Sequence, residues 1–147
     1  MLQQINLTRD RAGAGGNVHY NMTALVRSVD ALSAKLASGP YAGPALVPAS
    51  PWLSSTTPTT PVVSMSRGAR AITLRISPPA GAASAATPRW WLVRSRYADG
   101  WHAEVVDAMS PTVSIASGAG GLPDFLVVTA IDRVGVESAP VRLLTGP

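Results

Sequence analysis

Cysteine is absent from this chain of 147 residues. That excludes a disulfide framework and any thiolate metal site, and it suits a reducing or an oxidising compartment equally. Charge is also scarce, at 14% of residues, so the chain can bury a core and does not have the composition of a solvated, disordered segment. The basic residues are eleven arginines and Lys35 against eight acids, a net charge of +4. They are scattered without a run of like sign, so nucleic acid is not an expected partner. No apolar stretch reaches the ~18 residues of a membrane span, and residues 1–4 do not open a signal peptide. An export signal, if the intact protein has one, is expected outside this sequence. Aromatics make up only 5%, which gives Trp52, Trp90, Trp91 and Trp101 added weight.

The first third reads differently from the rest. Leu2, Ile5 and Leu7 suggest a helical segment, and residues 13–16 form a glycine-rich loop. Residues 17–22 (NVHYNM) follow as a short strand candidate. Leu25, Val29, Leu32 and Leu36 then recur at helical spacing behind Asn21 or Thr23 as cap, and Gly39-Pro40 ends the run. A single strand and helix cannot bury their apolar faces alone, because a parallel βα unit needs neighbours. Residues 1–50 therefore read as the last βα remnant of a (β/α) barrel. Residues 51–61, rich in Pro, Ser and Thr, read as a linker with an extended path.

From residue 62 onward strand signals recur: 62–66, 71–77, 90–97, 101–107, 112–117, 125–131 and 139–145. Ala98-Asp99-Gly100 marks a tight hairpin, and 78–88 a loop of small residues. The run 125–131 is apolar at nearly every position, as in a strand central to its sheet. Asp132 to Gly135 supplies the reversal after it. Seven short strands over 62–147 point to a fibronectin type III-like or immunoglobulin-like β-sandwich. The fold class expected is mainly β: such a sandwich preceded by the barrel remnant.

Three stretches carry a resemblance. Residues 13–53 (GAGGNVHYNMTALVRSVDALSAKLASGPYAGPALVPASPWL) resemble the end of the catalytic barrel in bacterial family 10 glycosylhydrolase-like proteins. WWLVRSRYADGW (90–101) and FLVVTAIDRVGVES (125–138) resemble the fibronectin-like domain that follows that barrel. The resemblance implies a parent that hydrolyses bacterial envelope glycan, with peptidoglycan as a substrate class, in the periplasm or secreted. It also implies the missing N-terminal barrel as a partner, and glycan as a ligand. A glycosidase needs two carboxyl groups roughly 5 to 9 Å apart. The first third offers Asp10 and Asp30, neither on a barrel strand end, so this chain alone is expected to be non-catalytic.

Candidate site residues fall in two groups. His19, Tyr20 and Asn21 stand at the C-terminal end of the strand read as the last of the barrel, where barrels build active sites. They are candidates for contacting substrate in the full parent. Trp90, Trp91, Arg94, Arg96, Tyr97 and Trp101 gather on one hairpin. Alternation puts Trp91, Val93 and Tyr97 on one face and Trp90, Leu92, Arg94 and Arg96 on the other. One set must build the core, so at least one tryptophan is structural. The other set is expected to dock on the barrel or the Trp52 segment, or to stack on sugar with an arginine reaching hydroxyls or carboxylates. His19 and His102 have no clustered ligands, so no metal or cofactor is expected. The glycine loop lacks the Lys-Ser/Thr of a phosphate loop, and no serine sits in a Gly-x-Ser-x-Gly elbow. A stand-alone carbohydrate-binding module and a protein-interaction sandwich are the competing functional readings.

Overall fold

The computed structural model describes residues 1–146 apart from 15, 20, 21, 28–30, 43, 44, 55 and 83–86. The chain divides into two compact units, Met1–Ala45 and Leu46–Pro147.

In the first unit the early apolar residues do form a helix, α1 (Leu2–Arg9), which buries Ile5 and leaves Leu7 exposed. The single amphipathic helix expected behind it is instead two pieces, α2 (Thr23–Val26) and α3 (Leu32–Ser38). Ala31, immediately before α3, has φ 54, a left-handed conformation that an α-helix does not carry through a non-glycine residue. The stripe is therefore split: Leu36 is buried on α3, and Val29 lies outside the described residues. Nor do residues 17–19 form a strand. Val18 is 98% exposed, and an isolated extended segment has no ladder to satisfy its backbone. The βα unit of a barrel is thus not formed among the described residues. Gly39 does end α3, since a Cβ there would meet the Lys35 carbonyl oxygen at 2.7 Å.

The second unit is the expected sandwich. Its strands are β1 (Val62–Arg67), β2 (Ala71–Ser77), β3 (Trp90–Tyr97), β4 (Gly100–Asp107), β5 (Thr112–Ala116), β6 (Phe125–Ile131) and β7 (Val141–Leu144). They form two antiparallel sheets, ordered β1-β2-β5 and β4-β3-β6-β7. Immunoglobulin and fibronectin type III domains share this two-sheet architecture. β3 and β6 lie in the middle of the larger sheet, which is why 125–131 reads apolar throughout. The last strand is shorter than 139–145 for a local reason. Glu137 and Ser138 first continue the pairing with Ile131 and Ala130, and Pro140, lacking an N–H, then interrupts the ladder.

Alternation fills the space between the sheets. Ile72, Leu74 and Ile76 of β2 and Val113 and Ile115 of β5 meet Trp91 and Val93 of β3 and Leu126, Val128 and Ala130 of β6. Trp91 is the largest fully buried side chain, and its Nε1–H finds no acceptor among the described residues. Replacing it with alanine is expected to cost about 3–5 kcal/mol, the usual range for truncating a buried aromatic. Urea unfolding followed by far-ultraviolet circular dichroism checks this.

The reversal after β6 also fixes the start of the unit. Asp132 Oδ1 accepts from the amides of Val134 and Val136 at 2.9 and 2.8 Å, and Gly135 takes φ 80. The Ser50 amide donates to the Val134 carbonyl at 2.8 Å, while a Cβ on Gly135 would sit 2.7 Å from the Val47 carbonyl oxygen. Residues 46–50 are thus seated on the β6–β7 reversal, and the sandwich unit begins before the Pro-rich segment. Gly135→Ala should destabilise the fold by more than about 1 kcal/mol, because both the left-handed φ and the close approach exclude a methyl group. Thermal unfolding, with faster amide exchange at Ser50, provides the measurement.

Candidate functional site

The hairpin of β3 and β4 divides its aromatic residues between two surfaces. Trp91, Val93, Ser95 and Tyr97 point into the sandwich, and Trp91 belongs wholly to the core. Trp90, Leu92, Arg94 and Arg96 point outward. Cross-strand register sets Trp101 and Phe125 on either side of Arg96, Ala103 and Val127 beside Arg94, and Val105 and Thr129 beside Leu92. The structure therefore keeps Trp90, Arg94, Arg96 and Trp101 on one face and removes Trp91 and Tyr97 from it.

Both arginines on this face are held by carboxylates of the same unit. Arg94 donates from both terminal nitrogens to Glu137, at 2.6 and 3.2 Å. The same Glu137 accepts from the buried Thr129 hydroxyl at 2.8 Å. Arg96 donates through Nε and Nη2 to the two oxygens of Asp124, each at 2.9 Å. These forked pairs fix the guanidinium planes. Hydrogen bonds from Arg94 hold the Glu137 carboxyl below its ordinary range despite partial burial, and those from Arg96 do the same for Asp124. Neither arginine is left free for a sugar carboxylate. Arg89 joins the pattern through Asp107 at 3.4 Å and lies over the Trp90 ring at 4.5 Å.

Trp101 is what this face offers to solvent. It is 55% exposed, meets Phe125 edge-on at 6.1 Å, and has the Arg96 guanidinium 6.0 Å from its ring centre. Phe125 in turn lies 5.4 Å from the same guanidinium, so Arg96 steadies two rings at once. Trp52 is 78% exposed.

Of the barrel-lip candidates, His19 is described and Tyr20 and Asn21 lie outside the described residues. His19 Nε2 is 2.6 Å from Tyr41 Oη, and Arg9 both stacks over the Tyr41 ring and donates to the Pro40 carbonyl. These contacts tie α1 to the chain after α3 within the first unit. Asp10 caps the end of α1; Asp30 lies outside the described residues. Among the described residues no group of three or more His, Asp or Glu side chains could hold a metal ion, and no helix is long and apolar enough to cross a membrane.

Sequence reasoning did not find the partners of the arginines. Asp124 directly precedes Phe125, the register partner of Arg96, and Glu137 bridges to Ile131; both placements depend on pairing between distant strands. Fold and face together define a β-sandwich module with one exposed, braced tryptophan. No family model matches the chain, and no curated protein matches it. Among solved structures it is similar to the fibronectin type III domain of human collagen XX, at 18% identity and a TM-score of 0.44, over 69% of this chain and 100% of that one.

The Glu137 pairing has a pH consequence. A carboxyl lowered in the folded state adds stability above its unfolded value, about pH 4, and loses that contribution as pH falls through the folded value. Glu137→Gln should therefore lower stability at neutral pH, and the difference from wild type should shrink as pH falls below the unfolded carboxylate value of about 4. Denaturant midpoints measured across this range check the sign.

Proposed function

We propose that the sandwich is a non-catalytic accessory module of a glycoside hydrolase acting on bacterial envelope glycan, with peptidoglycan as the substrate class. Its task is to support the catalytic barrel or place it on the glycan. The resemblance of residues 13–53, 90–101 and 125–138 motivates the reading. The observation that carries it is Trp101: a half-exposed ring held by Phe125 and Arg96, with the Arg96–Asp124 pair beside it. A fixed aromatic face with polar neighbours suits the apolar face of a pyranose, and because the ring is already held, little side-chain entropy is lost on contact.

Insoluble peptidoglycan tests this directly. The chain should co-sediment with purified sacculi, and Trp101→Ala should release it into the supernatant while leaving the unfolding midpoint within about 0.5 kcal/mol of wild type, as expected for an exposed substitution. Wild-type chain that stays in the supernatant overturns placement on glycan. A stand-alone carbohydrate module would bind in the same way, so the reading frame upstream of Met1 separates the two. Barrel strands ending in carboxylates are expected there; a stop codon favours the stand-alone module.

A further inference from the structure

The two sheets part at one edge of the sandwich. β4 ends the larger sheet and β5 the smaller, and near them opens a cavity of about 480 Å³ whose walls include Ser95, Tyr97, Asp99, His102, Glu104 and Ser114. None of the lining residues is Lys or Arg, although the chain as a whole carries +4. The cavity is a negative site on a positive protein.

Ser95 is the informative member. It lies on the inward face of β3 between Val93 and Tyr97 and is only 6% exposed, yet its hydroxyl has no hydrogen-bond partner among the described residues. The hydroxyl faces the cavity, whose walls it helps to form, and is free to accept a hydrogen bond from a ligand. Tyr97 is fixed as a wall, its hydroxyl donating to the Ala116 carbonyl at 2.8 Å. Burial, then the charges of Asp99 and Glu104, hold its phenol above the usual range. His102 packs edge-on to Tyr97 at 5.1 Å, with Nε2 3.2 Å from Asp99 Oδ1. Glu104, two residues on along the same face of β4, has no ion-pair partner among the described residues.

The smaller sheet adds backbone groups. The bonds from Ser117 to Arg70 and from Ile76 to Pro111 fix the phase of the β2–β5 ladder. By antiparallel alternation, the amide and carbonyl of Ser114 then point away from β2, along the open edge.

We propose that this cavity binds a protonated alkylamine. An ammonium group has three donors, and Glu104, Asp99 and Ser95 offer three acceptors, while the Tyr97 ring and Ile115 flank the methylene stem. The amine belongs either to a free diamine or to a lysine side chain on an extended peptide, whose backbone would pair with the Ser114 edge. The inference is independent of the role given to Trp101.

Amide NMR of the isotope-labelled full chain tests it, with cadaverine, Nα-acetyl-lysine N-methylamide and neutral pentanediol as probes. Both amines should give saturable shifts confined to residues 95–104 and 114–118, and the diol none. Glu104→Gln, at an exposed position, should weaken amine binding about fivefold, in line with losing one partly solvated charge contact, and Ser95→Ala should weaken it as well. Tighter binding of the lysine derivative assigns the amine to a peptide; equal affinity assigns it to a free diamine. Absence of saturable shifts with both amines overturns the proposal. So does equal binding of the diol, or unchanged binding by Glu104→Gln with an otherwise native spectrum.

Discussion

The burial of Trp91 between two sheets is the contact on which the rest of the sandwich depends. Its position fixes which residues of β3 face inward, and because side chains alternate, it also fixes which face outward. A slip of one residue would put Trp90, Arg94 and Arg96 between the sheets and Trp91 in water. Burying those guanidiniums without partners would be prohibitive, so the same alternation that builds the core also excludes the competing register.

With that register set, the outer face follows from pairing across strands. Arg96 lands between Trp101 and Phe125 and Arg94 within reach of Glu137, which in turn satisfies Thr129. The carboxylates convert two long, flexible cations into fixed parts of the surface, and the exposed tryptophan rests against one of them. These pairs lie partly in solvent, so each adds little to stability. Their larger effect is on orientation, since a ring braced on two sides presents the same face to any partner.

Much of the β domain was legible from the sequence. Period-two alternation and turn residues put six of the seven strands within a residue of their observed bounds, and only β7 was shortened, by Pro140. The helical third was less legible. A stripe of Leu25, Val29, Leu32 and Leu36 describes a continuous helix only if the backbone between them stays right-handed, and Ala31 does not. The outer face was read half correctly: alternation assigned the sides, but it could not show that the arginines were already paired. Those partners lie 28 and 43 residues away in sequence, and no local pattern encodes them. Ser95 was hidden for a similar reason, since a serine on an inward strand position acquires meaning only when the opposing edge is seen to stand open.

The seating of residues 46–50 on Gly135 has a mechanical consequence. Tension drawn along the chain from the side of Ala45 reaches the Ser50–Val134 bond and the packed Val47–Gly135 contact before it reaches β1. β1 is an edge strand and would otherwise be peeled away one hydrogen bond at a time. The load passes instead into the reversal after β6, a strand in the interior of the larger sheet. A glycine at a turn thereby decides which strand bears force first.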